Sequence, residues 1–176
     1  VRDGALMLDV MAGPDEHDRN SLPASGVSYV SECDQGVRGL RVAWSRDLGF
    51  APVEPEVVDV AERAAQTFTL LGCEVESASP DYQDPAEVVG LLFFGGIGAR
   101  IVQYVNWREL ADPGLVDVVD LYSKRSAFDY ARATFERNQL WDATRHFFAS
   151  YDLLLTPTMP LGGRAKDSPS IKSRSP

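Results

Sequence analysis

The pattern of hydrophobic and polar positions predicts a strand, a helix and a second strand between residues 40 and 76. Apolar side chains alternate with others at Leu40, Val42 and Trp44, as on a half-buried strand. Pro55 suits a first helical turn, and one apolar helical face follows, formed by Val57, Ala61, Ala64, Phe68 and Leu71. A short strand is predicted again at residues 73–76. This order predicts a βαβ unit with parallel strands.

Helical spacing dominates the rest of the chain. An amino-terminal helix is predicted from Val1 to Ala12, and Gly13 and Pro14 end it. No capping residue precedes Val1, so we expect the chain to be part of a longer protein. A helical region is predicted at approximately 84–150. Within it, Ser126 could cap a long helix whose apolar positions are Phe128, Ala131, Phe135, Leu140 and Phe147.

A third short strand is predicted near the end of this pattern, in the stretch YDLLLTPTMP. Leu153–Leu155 form an apolar run that indicates a buried strand, and Pro157 and Pro160 then exclude both helix and central-strand pairing. The predicted fold class is therefore α/β, with a βαβ unit of a mixed sheet plus a helical region. The strand would end in a stiff loop that carries two threonine hydroxyl groups.

Composition narrows the functional classes. The 176 residues are 44% hydrophobic with a net charge of -9, which favours one globular domain and argues against nucleic acid or an anionic membrane as partner. No apolar run has the length of a membrane span. Two cysteines are too few for a disulfide framework, so a cytoplasmic location is expected. The composition differs in a basic Ser/Pro tail at 161–176, which we expect to be disordered rather than part of the globular domain.

Three clusters of polar or small residues invite a functional interpretation. Asp15, Glu16, His17 and Asp18 could suggest a metal site, but no distant ligand stands at a recognisable spacing, so a solvated loop is favoured and no metal is predicted. Glycines 90, 95, 96 and 98 could suggest a phosphate loop. They lack a P-loop lysine and follow a helical pattern, so close helix packing or a kink is favoured.

The residue types of a catalytic triad also occur together near the third strand. His146, Ser150 and Asp152 lie along one helix end and its exit, whereas triad members must converge in space. A position for His146 near a helix carboxyl terminus is the favoured interpretation. Cys33 has no evident activating partner, and Cys73 is predicted to be a small core residue. No catalytic residue is predicted in this chain.

Three stretches together resemble the amidase-signature family of serine amide hydrolases. VRDGALMLDVMAGPDEHDRNSLP is similar to the helix and acidic loop that follow the family's signature region. The stretch from Val37 to Glu76 resembles the family's next strand-helix-strand unit, and YDLLLTPTMP resembles the strand and loop after its variable helical region. The resemblance covers residues 1–160 and implies a partial amidase-signature domain, an incomplete piece of that fold.

The departures from the family pattern concern its chemistry. The family uses a serine nucleophile, a bridging serine and a lysine base, and nothing in this sequence matches its Gly/Ser-rich signature. We expect that region upstream of Val1, and Lys124 is the one lysine before the tail. After the Thr-Pro-Thr loop, a substantial carboxyl-terminal portion of the family is replaced by residues 161–176. A truncation, a frameshift or a vector-derived tail would each explain this. We expect exposed apolar faces and a marginally stable or aggregation-prone domain.

The resemblance implies the function of a parent enzyme. That enzyme would hydrolyse a carboxamide to a carboxylate plus ammonia or amine through an acyl-serine intermediate, without a cofactor. This chain would supply scaffold and pocket wall, with Thr156, Thr158 and Met159 at the substrate-binding rim, and would be inactive alone. The expected partner of the parent enzyme is a small-molecule amide, and the resemblance is compatible with a homodimer. The alternatives are a non-enzymatic α/β binding or interaction module, and part of a glutamyl-tRNA amidotransferase A-type subunit. For the loop itself, the competing interpretation is a stiff strand exit without ligand contacts.

Overall fold

The computed structural model describes residues 1–162 and consists of eight α-helices, one π-helical turn and three strands in those residues. The strands are β1 (Arg41–Trp44), β2 (Glu74–Ser77) and β3 (Leu153–Leu155). The helices are α1 (Arg2–Met11), α2 (Tyr29–Glu32), α3 (Pro55–Leu70), α4 (Ala86–Val89), α5 (Gly95–Ile101), α6 (Trp107–Leu110), α7 (Pro113–Tyr122) and α8 (Ala127–Phe147). The π-helical turn, Gly90–Phe94, joins α4 to α5. The predicted tail at 161–176 lies outside the described residues after Gly162.

The three strands form one parallel sheet in the order β2-β1-β3. Val42 of β1 lies opposite Val75 on one side and Leu153 on the other, so β1 is the central strand. The predicted βαβ unit is confirmed as β1-α3-β2. The long helical segment from α4 to α8 then leads to β3, and all described strands run in the same direction.

The core of the sheet is its central strand. Val42 and Ala43 are completely buried, whereas Leu153–Leu155 are half-buried. The third strand, predicted to be buried, is therefore only half-buried. Within the described residues β3 pairs on one side with β1, and its other side is a sheet edge, where side chains have fewer neighbours.

Helix α3 begins at Pro55, as predicted, but packs on a different face than the sequence suggested. Its buried residues are Val58 and Ala65, seven positions apart and therefore on one face. Val57 is half-buried and Ala64 is exposed, although both belong to the predicted core face. The packed face is thus rotated by about one residue, roughly 100°, from the predicted one.

The helical region has a core of its own. Val88, Leu91 and Ala133 are buried together, with Leu92, Tyr122 and Leu140 packed against them. Ser126 caps α8 through a reciprocal pair of hydrogen bonds with Asp129, which confirms the predicted cap. The predicted apolar face of α8 is wrong at Phe128 and Phe135, which are 78% and 70% exposed. Ala133 lies on the face that packs against α4 and the π-helical turn, and those two phenylalanines point elsewhere.

The amino-terminal helix is tied to α2 by polar contacts. The Asp9 carboxylate accepts hydrogen bonds from the Ser28 hydroxyl at 2.8 Å and from the Tyr29 amide at 2.6 Å. The Ser28 hydroxyl bond is the main cause of the lowered pKa of Asp9. Ala5 is the one buried residue of α1, and Leu8, predicted on the same face, is 50% exposed. Among the described residues no helix combines the length and hydrophobicity needed to cross a membrane.

Candidate functional site

The carboxyl edge of the parallel sheet gathers hydroxyl groups from three chain segments. Ser45, directly after β1, is buried, and its amide donates to the Leu155 carbonyl at 2.9 Å. Its hydroxyl forms a 2.7 Å hydrogen bond with the Ser79 hydroxyl and accepts from the Leu48 amide at 2.9 Å. Thr156 follows β3 at the same edge. Ligands of α/β folds bind outside the carboxyl ends of parallel strands, so this edge is the natural place for a site.

The loop after β3 is held against the first turn of α3. The amide of Glu54 donates to the Pro160 carbonyl at 2.8 Å, and the Glu54 carboxylate accepts from the Gly162 amide at 3.0 Å. One residue therefore fixes two points of the loop. Because Pro157 and Pro160 also restrict the backbone, the segment 156–162 is stiff on both counts.

A groove of about 420 Å³ lies between this loop and α3, and we call it the loop groove. Thr158 and Met159, two of the three predicted rim residues, line it together with Pro157 and Leu161. Thr156, the third, is half-buried and is not part of the groove's lining. Met159 is 64% exposed, so its side chain is available at the surface of the groove. A substrate-binding role for these three residues stays a prediction.

The opposite wall of the loop groove comes from α3 and was missed by sequence reasoning. Val57, Val60, Ala61 and Ala64 line this side. Three of them belong to the apolar stripe that the periodicity assigned to the core. The signal was therefore present in the sequence, but an apolar stripe does not reveal whether it faces a sheet or a groove.

The triad-like residues do not form a site. Asp152 accepts hydrogen bonds from the Arg41 amide at 2.7 Å and from the Arg41 guanidinium at 3.5 Å, and it thereby ties the start of β3 to the start of β1. These bonds, the backbone one first, lower the pKa of Asp152. His146 lies in the last turn of α8 beside Arg145, as predicted. In the described residues no hydrogen bond joins His146, Ser150 and Asp152 to one another.

The remaining polar candidates have local structural contacts. In the acidic loop the His17 amide donates to Asp15 Oδ1 at 2.7 Å, and the His17 side chain is 98% exposed. Across residues 1–162, no group of three or more His, Cys, Asp or Glu side chains is arranged to hold a metal ion. Both cysteines are free thiols, with Cys33 exposed and Cys73 buried.

The glycine cluster serves close packing at two of its positions. A Cβ atom at Gly90 would lie 1.9 Å from the Tyr122 hydroxyl oxygen, and one at Gly98 would lie 3.1 Å from Val119 Cγ1. The packing interpretation is confirmed there. Gly95 and Gly96 differ, because a Cβ atom at either would meet nothing within 4 Å.

These two glycines line a second concavity of about 430 Å³, which we call the helical cavity. It lies between the π-helical turn with α5 on one side and α7 with the start of α8 on the other.

Comparison with known proteins identifies the family. The amidase family model matches residues 1–170, so the match runs beyond Pro160. An acylamidase from Rhodococcus erythropolis is 35% identical over 162 residues, which cover 90% of this chain and 34% of that protein. The A-type subunit of a glutamyl-tRNA(Gln) amidotransferase from Rubrobacter xylanophilus is 31% identical over 186 residues, which cover 91% of this chain and 39% of that protein.

The solved structures agree with the sequence relatives. A bacterial aryl acylamidase of the amidase-signature enzymes superposes with a TM-score of 0.78 at 25% identity, covering 93% of this chain and 36% of its own. The chain thus spans somewhat more than a third of the length of the proteins it matches. The small parallel sheet with its long helical segment is the corresponding part of their α/β fold. From the family match and these relatives, the chain belongs to the amidase family.

Proposed function

We propose that this chain is part of an amidase that hydrolyses a carboxamide to a carboxylate plus ammonia or amine through an acyl-serine intermediate. The chain supplies scaffold and one wall of the substrate pocket. The observation that carries the proposal is the loop groove, which lies at the carboxyl edge of the sheet and is formed by a doubly hydrogen-bonded loop. A wall that is fixed before substrate arrives suits the positioning of an amide for attack.

The residues proposed to contact substrate are Thr156, Thr158 and Met159. Thr158 and Met159 face the loop groove from its rim, where a hydroxyl group can hydrogen-bond an amide and a flexible thioether can adapt to an apolar substituent. Thr156 lies one residue after β3, beside the buried Ser45. We place it deeper at the same edge, as a support of the wall.

The nucleophile is proposed to lie outside this chain. Amide hydrolysis through an acyl-serine needs a nucleophile, a proton acceptor and oxyanion donors within reach of one carbonyl. The one buried serine of the described residues, Ser45, is hydrogen-bonded to Ser79 and Leu48, and no lysine is among these contacts. The contacts support a structural role for this hydroxyl group.

A direct assay tests whether the nucleophile lies outside this chain. The purified chain is incubated with acetanilide, acetamide and glutamine, and release of aniline or ammonia is measured. No turnover above buffer is expected. Turnover that disappears when one of the chain's own serines is changed to alanine would overturn the proposal, because it would place the nucleophile within these residues.

A second assay addresses the wall. Residues 1–160 are exchanged for the matched residues of the Rhodococcus acylamidase, and the chimaera is compared with its Thr158→Val variant. A hydrolytic chimaera whose KM rises in the variant is expected. A hydrolytic chimaera in which Thr158→Val, Thr156→Val and Met159→Ala all leave both KM and kcat unchanged would remove the pocket role from these residues.

The amidotransferase relative gives a second candidate, the A-type subunit of a glutamyl-tRNA amidotransferase. The 31% identity to the Rubrobacter protein supports it, and the 35% identity to the acylamidase favours the simple amidase. Glutamine would be hydrolysed in preference to acetanilide by a chimaera of the amidotransferase type. A cytoplasmic location and a homodimer belong to the proposal as well, and two free thiols are consistent with a reducing compartment.

A further inference from the structure

The helical cavity has the dimensions and the lining of a small-molecule site. Its volume of about 430 Å³ lies within the roughly 300–1,000 Å³ range of ligand pockets. Buried residues Leu91, Gly98 and Val119 form part of its lining. Phe94 and Tyr122 stack on each other with ring centroids 6.1 Å apart and line the cavity side by side. This aromatic wall favours a ligand with a flat, apolar group.

The polar groups of the lining decide the charge of that ligand. Arg125, the one charged side chain among the described lining residues, is paired with Glu87. The Ser126 hydroxyl belongs to the cap of α8, and the Ser123 hydroxyl donates to the Asp120 carbonyl. Each of these groups already has a partner within the protein. The lining also includes the hydroxyl groups of Tyr122 and Tyr130, which carry no charge. A charged ligand would therefore lose its hydration without a free opposite charge to pair with, whereas a neutral apolar group needs none.

Two residues that line the cavity carry no side chain and follow a distorted helical turn. The π-helical turn Gly90–Phe94 feeds directly into Gly95 and Gly96, where a side chain would meet open space. Single π-helical turns inside helices are frequent at functional sites. Two glycines in a helix also lower its stability, so larger residues here would have favoured the helix.

We infer that the helical cavity binds the neutral aryl group of a small organic molecule. The inference rests on the proposed function, in which this aryl group is the part of the amide substrate that does not react. Aryl amides would then be preferred to small aliphatic amides, because they fill the cavity with an apolar ring.

The test uses the whole chain and N-phenyl-1-naphthylamine, a neutral probe whose fluorescence rises in apolar surroundings. Saturable binding is expected, and Gly96→Leu and Gly95→Leu should each weaken it by about tenfold or more, because the new side chain occupies the cavity. Gly4→Leu is the matched control. Gly4 is also a helical glycine whose Cβ atom would meet nothing within 4 Å, but it lies in α1, away from the cavity.

Several outcomes would overturn the inference. Unchanged probe affinity in Gly96→Leu is one, and equal weakening by Gly4→Leu is another. Loss of binding in Val60→Glu but not in Gly96→Leu would place the probe in the loop groove instead. If both leucine variants lose their helical circular dichroism, the inference is tested on the wild-type chain by NMR. Nuclear Overhauser contacts from the bound probe to the Tyr122 and Tyr130 rings are expected. Their absence would contradict the inference.

Competition separates the inference from the proposed function. Acetanilide should displace the probe and acetamide should not. Displacement by both alike would contradict selection of an aryl group. Neither measurement needs turnover, so a failure of the hydrolysis assays would leave these binding results standing, and a failure of binding would leave the amidase proposal standing.

Discussion

The loop groove and the helical cavity have nearly equal volumes, about 420 and 430 Å³, but different structural causes. The loop groove is bounded by a proline-containing loop that is held against the first turn of α3 by two hydrogen bonds at Glu54, one donated by its amide to Pro160 and one accepted by its carboxylate from Gly162. The helical cavity is lined in part by Gly95 and Gly96, where an added Cβ atom would meet nothing within 4 Å. The first concavity should therefore respond to changes that release the loop, and the second to changes that add atoms.

The stability of the two regions also depends on different core residues, and deletion of buried atoms in the sheet should cost more stability than changes in the helical region. Val42→Ala removes two methyl groups from a fully buried site in the central strand. We expect a loss of about 2–3 kcal/mol in the free energy of unfolding, from lost transfer energy and a new cavity. Urea denaturation measures it.

Val60→Ala is the matched control for that experiment, because it makes the same deletion at a side chain that is 56% exposed. Its effect should lie within about 0.5 kcal/mol of zero. Equal losses in the two variants would mean that the sheet is not the stability centre of its region.

The helical region should be most sensitive at Gly90. Gly90→Ala would place a methyl group 1.9 Å from the Tyr122 hydroxyl oxygen and 2.3 Å from the ring carbon that bears it. Because the ring is rigid and stacked on Phe94, we expect a loss of about 1–3 kcal/mol. Thermal and urea unfolding both report it.

Gly96→Ala provides the contrasting result within the same glycine cluster. A Cβ atom there meets open space in a helix, so a gain of up to about 1 kcal/mol is expected. If both alanine variants shifted stability in the same direction, the distinction between packing glycines and cavity glycines would be lost.

The loop groove is expected to open when the side-chain half of its clamp is removed. Glu54→Ala deletes the acceptor of the Gly162 amide but keeps the Glu54 amide bond to Pro160. We expect a loss of about 0.5–1.5 kcal/mol and faster hydrogen exchange at the Gly162 amide. Glu54→Gln keeps an oxygen acceptor and should preserve most of the protection, so equal exchange in both variants would assign the effect to something other than this bond.

The smallest effect is expected from pH, and it concerns the sheet. Hydrogen bonds from Arg41 hold the pKa of Asp152 below its ordinary value of 3.8. A lowered carboxyl pKa contributes stability that is present above that ordinary value and is lost as pH falls through the folded-state pKa. Asp152→Asn should therefore flatten the acid limb of the stability curve, measured by urea midpoints from about pH 2 to pH 6.

Asp9→Asn should act in the same direction and additively, since Asp9 ties α2 to α1 and shares no partner with Asp152. An unchanged acid limb in Asp152→Asn would contradict the assignment for the sheet.

The sequence predicted the order of elements well, because local signals determine them. Alternation gave β1, Pro55 gave the start of α3, and Ser126 gave the cap of α8. The sequence predicted packing less well, because periodicity indicates that a helix has an apolar face but not which element packs against that face. Val57 and Ala64 were assigned to the core, and the loop after β3 instead makes them one wall of a groove.

The same limit explains the other differences. Phe128 and Phe135 lie on a helical face that the described residues do not cover, so their hydrophobicity carried no information about burial here. Ser45 gave no signal at all. Its burial depends on Ser79 and Leu155, residues that are distant in sequence and become neighbours when the sheet forms. The predicted rim residues Thr156, Thr158 and Met159 came from family resemblance and from their place in a loop after a strand end, not from periodicity.

The bond from the Arg41 amide to Asp152 spans 111 positions of the chain, and it bears on the order of folding. The partners that pair β1 with β2 are about 30 residues apart, and closing the longer loop costs roughly 1 kcal/mol more by chain entropy. We therefore expect β1, α3 and β2 to associate first, with β3 arriving last. Pulsed hydrogen-exchange labelling would show late protection of the Asp152 and Ser45 amides, and early protection there would contradict this order. During synthesis on the ribosome, residues 156–162 emerge after the whole helical region, so the loop groove would be completed after the helical cavity.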